Sequence, residues 1–164
     1  MAIRQRGNNR GIGQLYETDE TAWLETMSRL IQQRRLERLD YVNLATYLDD
    51  MAGRDRREVY SRLRELVLHL LKWIYQPEKR SRSWFDTINA QRRELQQLVT
   101  SRVLEAHALD ILPEVYEKAC QDAFRETDLV ESDLPREIPF TLEQLLSDGW
   151  PEDLIWRPQQ QKNR

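Results

Sequence analysis

Cysteine occurs once, as Cys120, in a chain of 164 residues. That excludes an internal disulfide and a cysteine-rich zinc site. Glycine is scarce, with five in the chain, which argues against a Gly-rich phosphate loop. Lysine is scarcer still: 4 Lys stand against 21 Arg, so the positive charge is nearly all guanidinium. Long apolar runs are missing, and none approaches the ~18 residues of a membrane span. The longest, residues 66–71, is interrupted by His69. Residues 1–13 hold no apolar stretch of the kind a signal peptide needs. We therefore expect a cytoplasmic protein with no membrane association.

What is present suits one helical domain. At 40% hydrophobic and 32% charged, the chain can bury one core but not two. Its net charge of -3 hides a strong asymmetry. Residues 54–109 carry 12 bases and 7 acids, whereas residues 110–155 carry 3 bases and 13 acids. Two explanations compete. Acidic helices can lie beside basic ones and neutralise them, or the basic block can form a surface for RNA or DNA. The first is preferred, because compact nucleic-acid binders more often carry a basic total.

The hydrophobic period is helical almost throughout. Thr18 is a candidate N-cap ahead of Asp19 and Glu20, and Trp23, Met27, Leu30 and Ile31 form one stripe. Asp40 can cap a second helix with Tyr41, Leu44, Ala45, Leu48 and Met51 inward, ended by Gly53. Asp55 can cap a third that runs to Tyr75 and stops at Pro77. Ser81 or Ser83 can start a fourth. Pro113 suits the first turn of a fifth. Thr141 with Gln144 looks like a capping box for a short sixth, ended by Gly149. The expected architecture is an all-α antiparallel bundle of five main helices and one short one. Residues 1–13 are expected to be a disordered basic N-terminus, residues 14–150 a single helical domain, and residues 151–164 a flexible tail.

The third helix is the most informative. Val59, Leu63, Leu66, Leu70, Trp73 and Ile74 make a wide apolar face, extended by Val67 and Leu71, with Leu68 nearly opposite. A helix apolar almost all round is central in a bundle or covered by a partner. Beside that face run Arg62, Glu65, His69 and Lys72, at spacings that let neighbours touch. Polar groups among so much leucine need partners. Gln91 of the fourth helix and Asp49 or Asp50 could supply them, giving a polar cluster of Arg62, His69, Lys72 and Gln91.

Several strings together are distinctive. They are Leu15-Tyr16-Glu17-Thr18-Asp19 with Ala22-Trp23, and His69-Leu70-Leu71-Lys72-Trp73 leading to Tyr75-Gln76-Pro77. Then come Arg80-Ser81-Arg82-Ser83-Trp84, Thr87-Ile88, Gln91-Arg92 and the stretch Pro139-Phe140-Thr141-Leu142-Glu143-Gln144-Leu145-Leu146. Across about residues 14–150 the chain resembles the bacterial, largely cyanobacterial, domain-of-unknown-function family twenty-nine. The resemblance implies an almost wholly helical fold and no particular activity.

Chemistry is thinly signalled. Two His and one Cys, far apart, offer no metal-ligand spacing, and no cofactor motif is present. Arg62 and His69, with six residues between them, resemble the Arg–His motif of HEPN ribonucleases. In that reading His69 would be the general acid or base and Arg62 would stabilise phosphorane charge. Lys79, Arg80 and Arg82 lie between Trp73 and Trp84, so bases or phosphates could be met by an aromatic-and-basic surface. Against these stands a surplus of helix-face hydrophobes and of Trp, Tyr and Arg, the usual interface anchors. The expectation is a non-catalytic protein-interaction or regulatory module that self-associates as a homodimer or binds a protein partner, as in a toxin–antitoxin pair. The HEPN-like ribonuclease or RNA-binding protein is the alternative.

Overall fold

The structure, a computed structural model, describes residues 6–149, and side chains from residue 11 onward. Among the described residues there are six α-helices, three short 3-10 turns and no strand. The helices are α1 (Arg6–Thr18), α2 (Glu20–Gln32), α3 (Tyr41–Tyr75), α4 (Arg82–Leu98), α5 (Arg102–Glu126) and α6 (Leu142–Leu146). The expected all-α class holds, but the helices are divided differently. The chain falls into two compact units, Met1–Arg54 and Asp55–Arg164. The tail expected over residues 151–164 lies outside the described residues.

The first unit is built around Trp23, which is fully buried with Met27, Leu30 and Leu39. A helix covers Arg6–Thr18, overlapping the N-terminus expected to be disordered, of which residues 1–5 lie outside the described residues. Ile12, Leu15 and Tyr16 recur at helical spacing and pack on the Trp23 cluster, which outweighs the poor propensity of Gly11 and Gly13. Thr18 closes this helix, and the cap of α2 is the next residue: Asp19 accepts from the Ala22 N–H at 3.0 Å. At its other end α2 finishes in a left-handed residue, Arg34, with φ of 56°. The Arg35 N–H reaches back to the Leu30 carbonyl and the Arg34 N–H to that of Ile31, which satisfies carbonyls the helix leaves open.

Asp40 then does two jobs. Its carboxylate accepts from the Asn43 backbone and side chain at the start of α3, and from the Trp23 indole N–H at 3.3 Å. The helix that follows does not stop at Gly53. It continues for 35 residues to Tyr75, so the expected second and third helices are one, and Asp55 is interior to it. A mid-helix glycine costs only ~1 kcal/mol against alanine, and a long helix absorbs it.

In the second unit the later part of α3 is the centre. Val59, Leu63, Leu66, Val67, Leu70 and Leu71 are fully buried, and Leu68 on the opposite side is buried too. Side-chain pairs fix the directions. Arg62 meets Gln91 and Trp73 meets Phe85, so α3 and α4 are antiparallel. Tyr60 meets Glu114, Arg64 meets Asp122 and Lys72 meets Glu126, so α5 returns parallel to α3. Ser81 caps α4 by accepting from the Trp84 N–H. The fifth helix starts at Arg102, eleven residues before the expected Pro113, which stands exposed inside it. An exposed mid-helix proline leaves a carbonyl that water can satisfy, which limits its cost. Leu129, Leu134 and Phe140 then lay an irregular segment over the core. The Thr141–Gln144 capping box starts α6 as expected, with the helix ending at Leu146.

Candidate functional site

The polar stripe on α3 separates into three local arrangements. Arg62 donates from Nε to Glu58 at 2.9 Å and from Nη1 to Gln91 at 3.3 Å, and its Nη2 lies 3.6 Å from Glu94. The contact between Arg62 and Gln91 was legible in the spacing, whereas the acids are Glu58 and Glu94 where Asp49 or Asp50 had been named. His69 turns to its own helix. Its Nδ1 is 3.0 Å from the Glu65 carbonyl oxygen and 3.3 Å from the Glu65 carboxylate. Lys72, only 6% exposed, pairs with Glu126 of α5 and lies 5.9 Å from the Trp84 ring.

Lys72 belongs to a ladder between the basic middle of the chain and its acidic third. Arg64 meets Asp122, with Nε at 2.6 Å, and Arg125 flanks the same carboxylate. Lys79 donates to Asp128 at 2.6 Å. That hydrogen bond holds the Lys79 amine above its ordinary value and the Asp128 carboxyl below its own. These three ion pairs are the intramolecular neutralisation that the charge asymmetry suggested.

The basic and aromatic run is engaged in the same way. Arg80 donates from Nε to the Trp73 carbonyl at 2.9 Å and places its guanidinium 5.1 Å from the Trp73 ring. Arg82 is held by Asp86 at 3.0 Å and lies 5.6 Å from the Phe85 ring. Trp73, Trp84 and Phe85 are half-buried. Lys79, Arg80 and Arg82 therefore each have an intramolecular partner.

One structural residue escaped the sequence reading. Arg92 is 2% exposed and donates from Nε to the Leu145 carbonyl at 3.0 Å. Gln96, one turn on, donates to the Leu146 carbonyl at 2.7 Å. Together they tie α6 to α4. Burial draws the Arg92 guanidinium down from its ordinary value, and Asp148 opposes that shift. Arg92 lies four residues after Ile88 and three before Leu95, on the buried side of α4 with both.

The apolar surplus lies where it was not expected. The sequence pattern places Tyr41, Ala45, Leu48 and Met51 inward. In the first unit only Leu44 and Tyr47 of this part of α3 pack on the Trp23 cluster. Tyr41 is 59% exposed, Val42 77% and Leu48 57%, and Ala45 and Ala52 are exposed beside them. At 100° per residue, positions 41, 45, 48 and 52 fall within about 60° of arc. Tyr41 donates its hydroxyl to the Leu36 carbonyl at 2.9 Å, which places exposed Leu36 next to the same face.

The second unit has a groove of about 820 Å³, lined by Tyr116, Cys120, Phe124, Leu134 and Ile138 among others. Burial raises the Cys120 thiol pKa, so Cys120 is no ready nucleophile. Among the described residues no group of three or more His, Cys, Asp or Glu converges to hold a metal ion. No helix among them is long and apolar enough to cross a membrane.

Over residues 15–151 the sequence matches the family described as Domain of unknown function DUF29. No curated protein and no solved structure matches it.

Proposed function

This chain belongs to the DUF29 family, and we propose that it is a non-catalytic protein-interaction module that self-associates through the first half of α3. One observation carries the reading: the uncharged stripe of Tyr41, Ala45, Leu48 and Ala52 is left in water by its own unit. Apolar surface left in water forgoes roughly 25 cal/mol per Å² that burial would return. A contiguous exposed apolar face of this kind marks a contact surface.

The charge arrangement supports the same reading. Arg64, Lys72 and Lys79 are matched to acids of α5 and its following turn, which leaves them committed within the fold. No observation favours the ribonuclease alternative. Arg62 is held by Glu58, Gln91 and Glu94, and His69 faces Glu65, so each has partners of its own. A half-buried free thiol at Cys120 accords with a reducing compartment such as the cytoplasm.

The reading is tested by light scattering on the wild type and on Leu48→Glu. We expect a wild-type dimer and a monomeric variant with unchanged helical circular dichroism. A dimer that survives Leu48→Glu would remove α3 as the contact surface.

A further inference from the structure

The exposed stripe of α3 is spaced symmetrically. Its members stand at 41, 45, 48 and 52, in steps of four, three and four. The order of sizes is large, small, large, small: Tyr41, Ala45, Leu48, Ala52. Read from the opposite end, the spacing is the same and the sizes are reversed. Two copies laid antiparallel about a two-fold axis midway between residues 46 and 47 therefore bring Tyr41 onto Ala52 of the second copy. The same operation brings Leu48 onto Ala45. We propose that this chain forms a homodimer in which the first halves of α3 pair antiparallel, each large side chain seated over an alanine of the other copy.

The inference rests on the reading of this face as the self-association surface, and adds the partner, the direction and the register. Isologous contacts have this form, with residue i on residue j and j on i. Side chains at a contact set the separation of two helices, and alanines permit the near end of the usual 8–10 Å range. A parallel, in-register pairing would instead stack Tyr41 on Tyr41 and Leu48 on Leu48, and leave the alanines facing each other across a gap.

The apolar area supplies the larger part of what a dimer needs. Leu36, Tyr41, Val42, Leu48 and Met51 are 49%, 59%, 77%, 57% and 37% exposed. At roughly 150–200 Å² for a large side chain, Leu36, Tyr41 and Leu48 present roughly 250–330 Å² per copy, and Val42 and Met51, on the two flanks of the stripe, roughly 170–230 Å² more. A stable interface buries about 800 Å² per partner, and the exposed Ala45 and Ala52 of the stripe, with Asp49 on its flank, contribute further. The stripe itself contains no charge, so pairing desolvates no unmatched ion.

Cysteine cross-linking in a Cys120→Ser background distinguishes the alternatives. Ala45→Cys protein is mixed with Leu48→Cys protein, and Tyr41→Cys with Ala52→Cys, each mixed dimer retaining three of the four native large-on-small contacts. Circular dichroism first confirms that each variant keeps its helices. Under mild oxidation each mixture is expected to give roughly tenfold more cross-linked dimer than either component alone, since a disulfide needs Cα atoms within about 7 Å. Efficient self-cross-linking of Ala52→Cys alone would indicate parallel pairing and overturn the proposal. A wild-type dimer whose mixtures do not cross-link would overturn it as well, while leaving self-association standing. A wild type that is monomeric by light scattering would overturn both.

Discussion

Arg92 donates its Nε hydrogen to the Leu145 carbonyl at 3.0 Å while being 2% exposed to solvent. With Gln96 at the neighbouring Leu146 carbonyl, the guanidinium holds the five-residue helix α6, too short to be stable alone. Arg92→Leu fills part of the volume but leaves that carbonyl without this donor. It should destabilise the second unit by about 1–3 kcal/mol. Urea unfolding measures the loss, and limited proteolysis should show faster cleavage near α6. Unchanged unfolding and unchanged cleavage would remove Arg92 as the anchor.

Tyr75 carries a buried hydroxyl that finds no hydrogen-bond partner among the described residues. An unpaired buried hydroxyl is a cost, so Tyr75→Phe should leave stability unchanged or raise it by about 1–2 kcal/mol. Burial, with Cys120 adding to it, pushes the Tyr75 phenol up to about 12. Tyr116 is raised in the same direction by burial. The unfolded phenols ionise near 10, so their stabilising contribution is complete below that pH and is lost as pH rises above it. Wild-type stability should therefore fall from about pH 10 upward, and less steeply in Tyr75→Phe. Phenolate absorbance followed beside circular dichroism checks this.

Lys79 and Asp128 form an exposed pair, so its stabilising effect should be small. The sign is nonetheless definite. Asp128 is held below its ordinary value by Lys79, so its contribution is present above about pH 4 and is lost as pH falls through the folded value. Lys79 is raised by Asp128, so its contribution is present below about pH 10 and is lost as pH rises further. The melting-temperature difference between wild type and Asp128→Asn should be greatest at neutral pH, disappear in acid, and diminish with salt. A difference that persists fully at low pH would contradict the pairing.

Asp40 connects Trp23 to the start of α3, with the indole N–H at 3.3 Å and the Asn43 amide at 2.6 Å. Asp40→Ala removes an N-cap and a buried indole's acceptor together. A cost of about 2–3 kcal/mol to the first unit is expected. Trp23 fluorescence should shift to the red in the same denaturant range. Asp40→Asn keeps an oxygen acceptor and should lose less.

Local chemistry was the most legible part of the sequence. The caps at Asp40 and Thr141, and Ser81 as one of two candidates for α4, are legible because each is closed by a hydrogen bond spanning three residues. Gly53 and Pro113 were read as helix boundaries, yet both lie inside helices. Whether a weak helical position breaks a helix depends on the packing on either side, which no window around the residue reveals. The Arg62–Gln91 contact could be deduced, because two helices joined by a short turn must place their polar stripes together. His69 could not be assigned, since its acceptor is a carbonyl one turn back on the same helix. The stripe of Tyr41 and Leu48 shows the deepest ambiguity. Periodicity marks an apolar face but does not say whether the fold or another molecule covers it.

The central claim is that this face brings two chains together. A sedimentation-velocity dilution series of the wild type tests it most directly. The account predicts a species of twice the 19.7 kDa chain mass that dissociates reversibly toward 19.7 kDa on dilution. A mass of 19.7 kDa at every concentration, up to the highest at which the protein stays in solution, would contradict it.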